Sequence, residues 1–124
     1  MELKPAEDAQ INVADLTSEF KLLPLLVFRY SEIKAEAGHA ADIEEAKYKE
    51  ARAEVFKACL MNYDKKPSDK VLDAEIESHP DVVAQKRRMI DAKRDFETIK
   101  GYLESIKAKK DMLIQLGSDR RKEV

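Results

Sequence analysis

A heptad repeat in the last third of the chain limits what this sequence can fold into. Two interleaved series recur every seven residues there: Val82, Met89, Phe96, Leu103 and Lys110, and Gln85, Ala92, Ile99, Ile106 and Leu113. Residues spaced alternately three and four apart lie along one stripe of an α-helix, and four mostly apolar heptads are typical of a coiled coil. We therefore predict a long helix that Pro80 opens and that ends just before Gly117.

The first half of the chain contains a matching stripe for a second helix. Its members are spaced three and four apart in two sets, Tyr30, Ile33, Ala37 and Ala40, then Tyr48, Ala51, Val55 and Ala58. The interval of eight between the sets indicates a stutter through Glu44. We expect Pro24 to break or kink the chain before this helix, and Asn12 to cap a short helix over 13–23.

These patterns predict a single all-α domain. It consists of a loose arm over 1–11, N-terminal helices over 12–64, a connector over 65–80 with a short helix capped by Ser68, a coiled-coil helix over 81–117 and a charged tail over 118–124. Because the connector is short, the two long helices must fold back as an antiparallel helical hairpin, a coiled coil with short N-terminal and connector helices.

A thin hairpin leaves apolar side chains uncovered, which predicts assembly into a homo-oligomer. The expected self-association residues are bulky apolar side chains from the two halves of the chain: Phe20, Leu23, Leu26, Phe28, Leu113, Ile114 and Leu116.

Composition and residue spacing argue against several functional classes. The single cysteine, Cys59, excludes an internal disulfide and favours a reducing compartment, so we expect a cytoplasmic protein. His39 and His79 lie far apart, and we expect neither a metal site nor a cofactor. The apolar run over 22–28 is too short to span a membrane. Without a phosphate-binding glycine loop or an activated nucleophile, we expect no enzyme.

The charges are unevenly distributed, although the formal net charge is only −2. Residues 1–80 contain 11 Lys and Arg against 17 Asp and Glu, whereas residues 81–124 contain 12 against 8. The hairpin is expected to gather cations and one aromatic ring at the connector tip: Lys57, Tyr63, Lys65, Lys66, Lys86, Arg87 and Arg88. Cations that follow phosphates and a ring that stacks on bases suit single-stranded nucleic acid. A solvated, salt-bridged tip is the alternative interpretation.

Two stretches of the chain resemble the UvsY-type recombination mediators of tailed phages. The first runs from Tyr30 to Tyr63 and contains Lys57-Ala58-Cys59-Leu60, similar to a segment of that family associated with DNA binding. Cys59 stands where the family has a second basic residue, which shifts the expected DNA contact towards Lys57, Lys65 and Lys66. The second stretch, residues 81–116, resembles the family's C-terminal helix, whose apolar end takes part in self-assembly.

The resemblance implies a ring-forming, non-catalytic protein that binds single-stranded DNA and helps load a RecA-like recombinase. Such mediators loosen the single-strand binding protein from DNA, and a phage-encoded member acts in the host cell cytoplasm. The alternative is a non-catalytic, protein-binding helical hairpin: a phage scaffold, an assembly chaperone or a host-directed inhibitor.

Overall fold

A computed structural model of the protein describes residues 3–123, and all regular structure in that range is α-helical. There are four helices, α1 (Pro5–Asp8), α2 (Leu16–Met61), α3 (Asp69–Ser78) and α4 (Pro80–Glu123). The prediction of an all-helical fold with two long helices is confirmed. Pro80 opens α4 as expected, and Ser68 caps α3 by accepting a hydrogen bond from the Val71 amide at 3.3 Å.

The chain divides into two compact units, and α2 and α4 contribute to both. The end unit contains the residues up to Glu36 together with those from Glu97 onward, and the connector unit contains Ala37–Phe96. In each unit the two long helices pack antiparallel. Glu19 pairs with Lys109 in the end unit, and Glu44 bonds to Gln85 in the connector unit.

Each unit has its own hydrophobic core. The buried residues of the end unit lie seven apart on α2 and at three- and seven-residue intervals on α4: Leu16, Leu23, Tyr30, Leu103, Ile106 and Leu113. In the connector unit, α3 contributes Leu72 and Ile76 to a core that they form with Val55 of α2 and Val82 of α4. The connector helix is therefore part of the packing of its unit.

The seam of α2 has no stutter. Ala41 and Val55, 14 residues apart, are buried, whereas the predicted Ala40 is exposed; the predicted Ala58, near the end of the helix, is exposed too. The heptad positions run without interruption through Glu44, whose carbonyl and carboxylate oxygens accept hydrogen bonds from Gln85 Nε2 at 3.2 and 2.5 Å. The apolar pattern missed this register because a polar pair occupies one of its layers.

The N-terminal segment is ordered, so the prediction of a loose arm over 1–11 is wrong for the described residues 3–11. They contain α1, and Leu3 and Ile11 pack against the core of the end unit. Burial of these two side chains stabilises the segment, because it removes apolar surface from water.

Helix α2 begins at Leu16 and continues through Pro24, so the predicted helix over 13–23 and the predicted break are both wrong. Asp15, and not Asn12, caps the helix, since Asp15 Oδ1 accepts a hydrogen bond from the Ser18 amide at 3.2 Å. Asn12 Oδ1 instead accepts from the Ala14 amide in the preceding turn. The pKa of Asp15 is lowered because hydrogen bonding to Ser18 favours the carboxylate.

Two of the glycines in the long helices lie against phenylalanine rings. Helix α4 continues past Gly117 to Glu123. The predicted helix end before Gly117 is therefore wrong, and residues 118–123 of the predicted charged tail are helical. Val124 lies outside the described residues. A Cβ at Gly117 would lie 3.6 Å from the ring of Phe20. A Cβ at Gly38 would lie only 3.2 Å from the ring of Phe96. Because the Phe96 ring leaves little room for a side chain, the helix has glycine at this position despite the low helix propensity of glycine.

Replacing the cap of α2 tests the corrected start of this helix. We expect Asp15→Ala to lower stability by about 1 kcal/mol, because the Ser18 amide loses its acceptor, and Asp15→Asn to retain most of it. Thermal unfolding followed by circular dichroism measures both. Asn12→Ala is the matched control, and a larger loss in that variant than in Asp15→Ala would show that the helix starts earlier.

Candidate nucleic-acid interface

All seven residues predicted to contact DNA lie in the connector unit. Lys57 is in the last two turns of α2, while Tyr63, Lys65 and Lys66 follow the end of that helix. Residues 86–88 form the second turn of α4. The turn after α2 and the start of α4 thus supply the cations, as the hairpin topology predicts.

The cations do not meet at one tip. The hydrogen bond between Gln85 and Glu44 sets the start of α4 level with the middle of α2. Lys57 follows Glu44 by 13 residues, which is about 20 Å along the helix axis. The prediction that Arg87 and Arg88 lie beside Lys57 is therefore wrong. Helix α2 extends well beyond the start of α4, and α3 packs against that extension.

A charged network centred on Glu77 joins the three helices of this unit. Glu77 accepts a hydrogen bond from the hydroxyl of Tyr48 at 2.8 Å and forms ion pairs with Arg52 and, at 3.5 Å, with Lys86. Arg52 also approaches Asp73 at 3.7 Å. The network engages the ammonium of Lys86, which leaves less of its charge available to a phosphate.

Two other members of the predicted set also have partners. Lys66 lies 3.6 Å from Asp69, and the hydroxyl of Tyr63 donates to Glu75. Tyr63 as a residue remains 37% exposed, so it is still accessible to a ligand. The salt-bridged interpretation of the tip therefore holds for these residues.

The remaining four cations are exposed and have no ion pair or hydrogen bond with any residue of the described chain. They form two pairs: the distal lysines, Lys57 and Lys65, and the α4 arginines, Arg87 and Arg88. Unpaired cations on a surface can neutralise phosphates, and arginine can do so with two parallel hydrogen bonds. These two pairs are the candidate phosphate contacts.

Cys59 contributes no charge to the interface. It is partly buried and packs against the core of the connector unit. Burial raises the pKa of its thiol, and the neighbouring Glu75 raises it further. At neutral pH the side chain is a small hydrophobic group at the position where the resembled family has a cation.

The residues predicted for self-association differ in how deeply they are buried within the chain. Leu23 and Leu113 belong to the core of the end unit, so their side chains pack within the chain. Leu26 and Leu116 are partly buried against the same core. Phe20, Phe28 and Ile114 remain exposed, and they are the members of the set available to a second molecule.

A buried lysine in the end unit was missed by the sequence analysis, which placed Lys110 on the seam of α4. Lys110 is exposed, whereas Lys109 is only 5% exposed. Its ammonium donates to the carbonyl oxygen of Asp8 at 2.9 Å and pairs with Glu19 at 2.7 Å. The spacing of three from Ile106 and four from Leu113 was the available signal.

Asp8 is held from the other side by Tyr30, whose hydroxyl donates to its carboxylate at 2.6 Å. Burial raises the pKa of Tyr30, and the Asp8 carboxylate raises it further. Tyr30 and Lys109 thus anchor the N-terminal segment to α2 and α4.

Substitution of this lysine tests its structural role. We expect Lys109→Met to lower stability by about 3 kcal/mol, because it leaves Glu19 charged and without its partner in a largely buried site. Thermal or urea unfolding measures the loss. Lys110→Met is the matched control and should change stability by less than about 0.5 kcal/mol. Equal effects of the two substitutions would contradict the assignment.

Comparisons with known proteins add no identification. The chain matches no protein-family profile, no curated protein and no solved structure. Within residues 3–123, no helix is both long and apolar enough to cross a membrane, and no three His, Cys, Asp or Glu residues are grouped as a metal site would require.

Proposed function

We propose that this protein is a non-catalytic recombination mediator that binds single-stranded DNA and helps load a RecA-like recombinase onto DNA covered by single-strand binding protein. The observation that carries the DNA-binding part is that four of the connector unit's exposed cations, Lys57, Lys65, Arg87 and Arg88, have no partner in the described chain. We include the recombinase and the single-strand binding protein because residues 30–63 and 81–116 resemble phage mediators.

The separation of the two cation pairs favours a flexible strand. A strand that reaches from Lys57 to the α4 arginines must span about 20 Å. At the duplex rise of about 3.4 Å per nucleotide, this distance corresponds to roughly six nucleotides, and an extended single strand spans it with fewer. A flexible single strand can bend to reach both pairs, whereas a rigid duplex cannot.

Self-association completes the proposal. Each chain offers only these four candidate phosphate contacts, so its individual contact with DNA is weak. An oligomer would present several such sets to one strand and raise the overall affinity through effective concentration. Phe20, Phe28 and Ile114 are the exposed apolar residues that we assign to the contact between copies.

Neutralising one cation pair tests the DNA contact. We expect Arg87→Gln with Arg88→Gln to weaken binding of a labelled oligothymidine about tenfold and to flatten the slope of log affinity against log salt by about 1.4, for two lost phosphate contacts. Fluorescence anisotropy across a salt series measures both, with an equimolar duplex as comparison. The double substitution Lys57→Gln with Lys65→Gln should weaken binding and flatten the salt slope by similar amounts.

The ion-paired cations supply matched controls. Lys86→Gln removes one positive charge from the turn that carries the α4 arginines but should weaken binding less than about twofold, because Glu77 already engages this lysine. Lys100→Gln, in the end unit, should have no effect. Unchanged binding after both paired substitutions, or no binding by the parent at low salt, would remove DNA from the function and favour the protein-binding hairpin.

A separate substitution tests self-association. We expect Phe28→Asp with Ile114→Asp to reduce the sedimenting mass, because charges at exposed apolar positions oppose burial against a second copy. Ile90→Asp, a similarly exposed apolar position in the connector unit, is the control and should leave the mass unchanged. A monomeric parent protein, or an unchanged mass in the double variant, would contradict the assigned contact.

A further inference from the structure

The end unit contains a groove between its N-terminal segment and α2, with a volume of about 340 Å³. Leu22, Leu25 and Leu26 of α2 form its apolar wall, and Glu7 and Asp8 lie on the opposite side. Leu22 is 52% exposed and Leu25 is 67% exposed. The groove therefore presents bulky apolar surface that the end unit itself does not cover.

Most charges around the groove have partners within the chain. Lys109 pairs with Glu19 and donates to the backbone of Asp8, whose carboxylate accepts from Tyr30. Glu7 forms only an exposed pair with Lys4, at 4.0 Å. Lys109 and Glu19 neutralise each other, and the Asp8 carboxylate is directed to Tyr30 within the chain.

Arg29 is the exception. Its side chain lines the groove, its Nε is buried, and no described residue accepts a hydrogen bond from that nitrogen. The described chain also offers its guanidinium no ion pair. The guanidinium therefore keeps its full charge beside the apolar wall, where an acidic group of a ligand can pair with it. A guanidinium fits a carboxylate especially well, because both are planar and two parallel hydrogen bonds can form.

We propose that this groove is the docking site for a segment of a partner protein that carries one carboxylate beside bulky apolar side chains. The carboxylate pairs with Arg29, and the apolar side chains cover Leu22 and Leu25. The apolar wall favours a polypeptide over a nucleic acid, because a sugar-phosphate backbone gains nothing from covering leucine side chains. Short segments that combine an apolar face with one charged contact are a common mode of peptide recognition.

This docking site is independent of the proposed DNA contacts. It lies in the end unit, whereas Lys57, Lys65, Arg87 and Arg88 all lie in the connector unit. Loss of peptide binding without loss of DNA binding, or the reverse, therefore distinguishes the failure of one proposal from the failure of the other.

Selection from a library of random peptides of about 12 residues, displayed on phage and captured by the full-length protein, tests the chemistry without assuming a partner. We expect the enriched peptides to share one Asp or Glu next to two or more bulky apolar residues. A synthetic peptide of the enriched sequence should bind at least about fivefold more weakly to Arg29→Gln and to Leu25→Asp. Lys21→Gln, an exposed cation on the same helix outside the groove, should bind like the parent.

The same test can be made from the peptide side if Arg29→Gln loses helicity. Replacement of the peptide's acidic residue by its amide should weaken binding to the parent protein to a similar extent. No enrichment, an enriched sequence without a carboxylate, or equal binding to the parent and to Arg29→Gln would each overturn the proposal. Sedimentation of Arg29→Gln completes the test, because a fall in oligomer size would identify a second copy, and not a partner protein, as the occupant.

Discussion

The hydrogen bonds between Gln85 and Glu44 set the register of the connector unit, and the rest of that unit depends on this register. Gln85 is buried, and its amide can reach both the carbonyl and the carboxylate of Glu44 only when these two residues face each other. A buried polar pair specifies one alignment of two helices, because any slip leaves its donors and acceptors without partners in an apolar seam.

This alignment determines where the charges of the connector unit lie. It places Arg87 and Arg88 about 20 Å from Lys57 along α2, and it leaves the end of α2 to be covered by α3. Glu77 of α3 then comes within reach of Tyr48, Arg52 and Lys86. The same contacts that hold α3 in place also divide the cations into those that are paired and those that remain available to a ligand.

In the end unit, a second polar contact has the corresponding role. Lys109 occupies a seam position and binds the N-terminal segment and α2 at once, so this segment becomes one wall of a groove. Arg29 remains in that groove without a partner in the described chain. A protein of this composition can therefore offer two chemically distinct surfaces, one of unpaired cations and one of leucines beside a single arginine.

The sequence by itself determined the two long helices, the capped connector helix and the start of α4, because these depend on local periodicity, on Ser68 and on Pro80. It also indicated the connector unit as the source of the candidate cations. Only the tertiary structure decided the burial of Lys109 in place of Lys110, the passage of α2 through Pro24 and the continuation of α4 past Gly117. These outcomes depend on what a side chain meets across the interface. Packing on either side of Pro24 and of Gly117 offsets a local preference for ending the helix, and an ion pair makes a lysine acceptable in a core. Neither effect is visible in the spacing of residues along one chain.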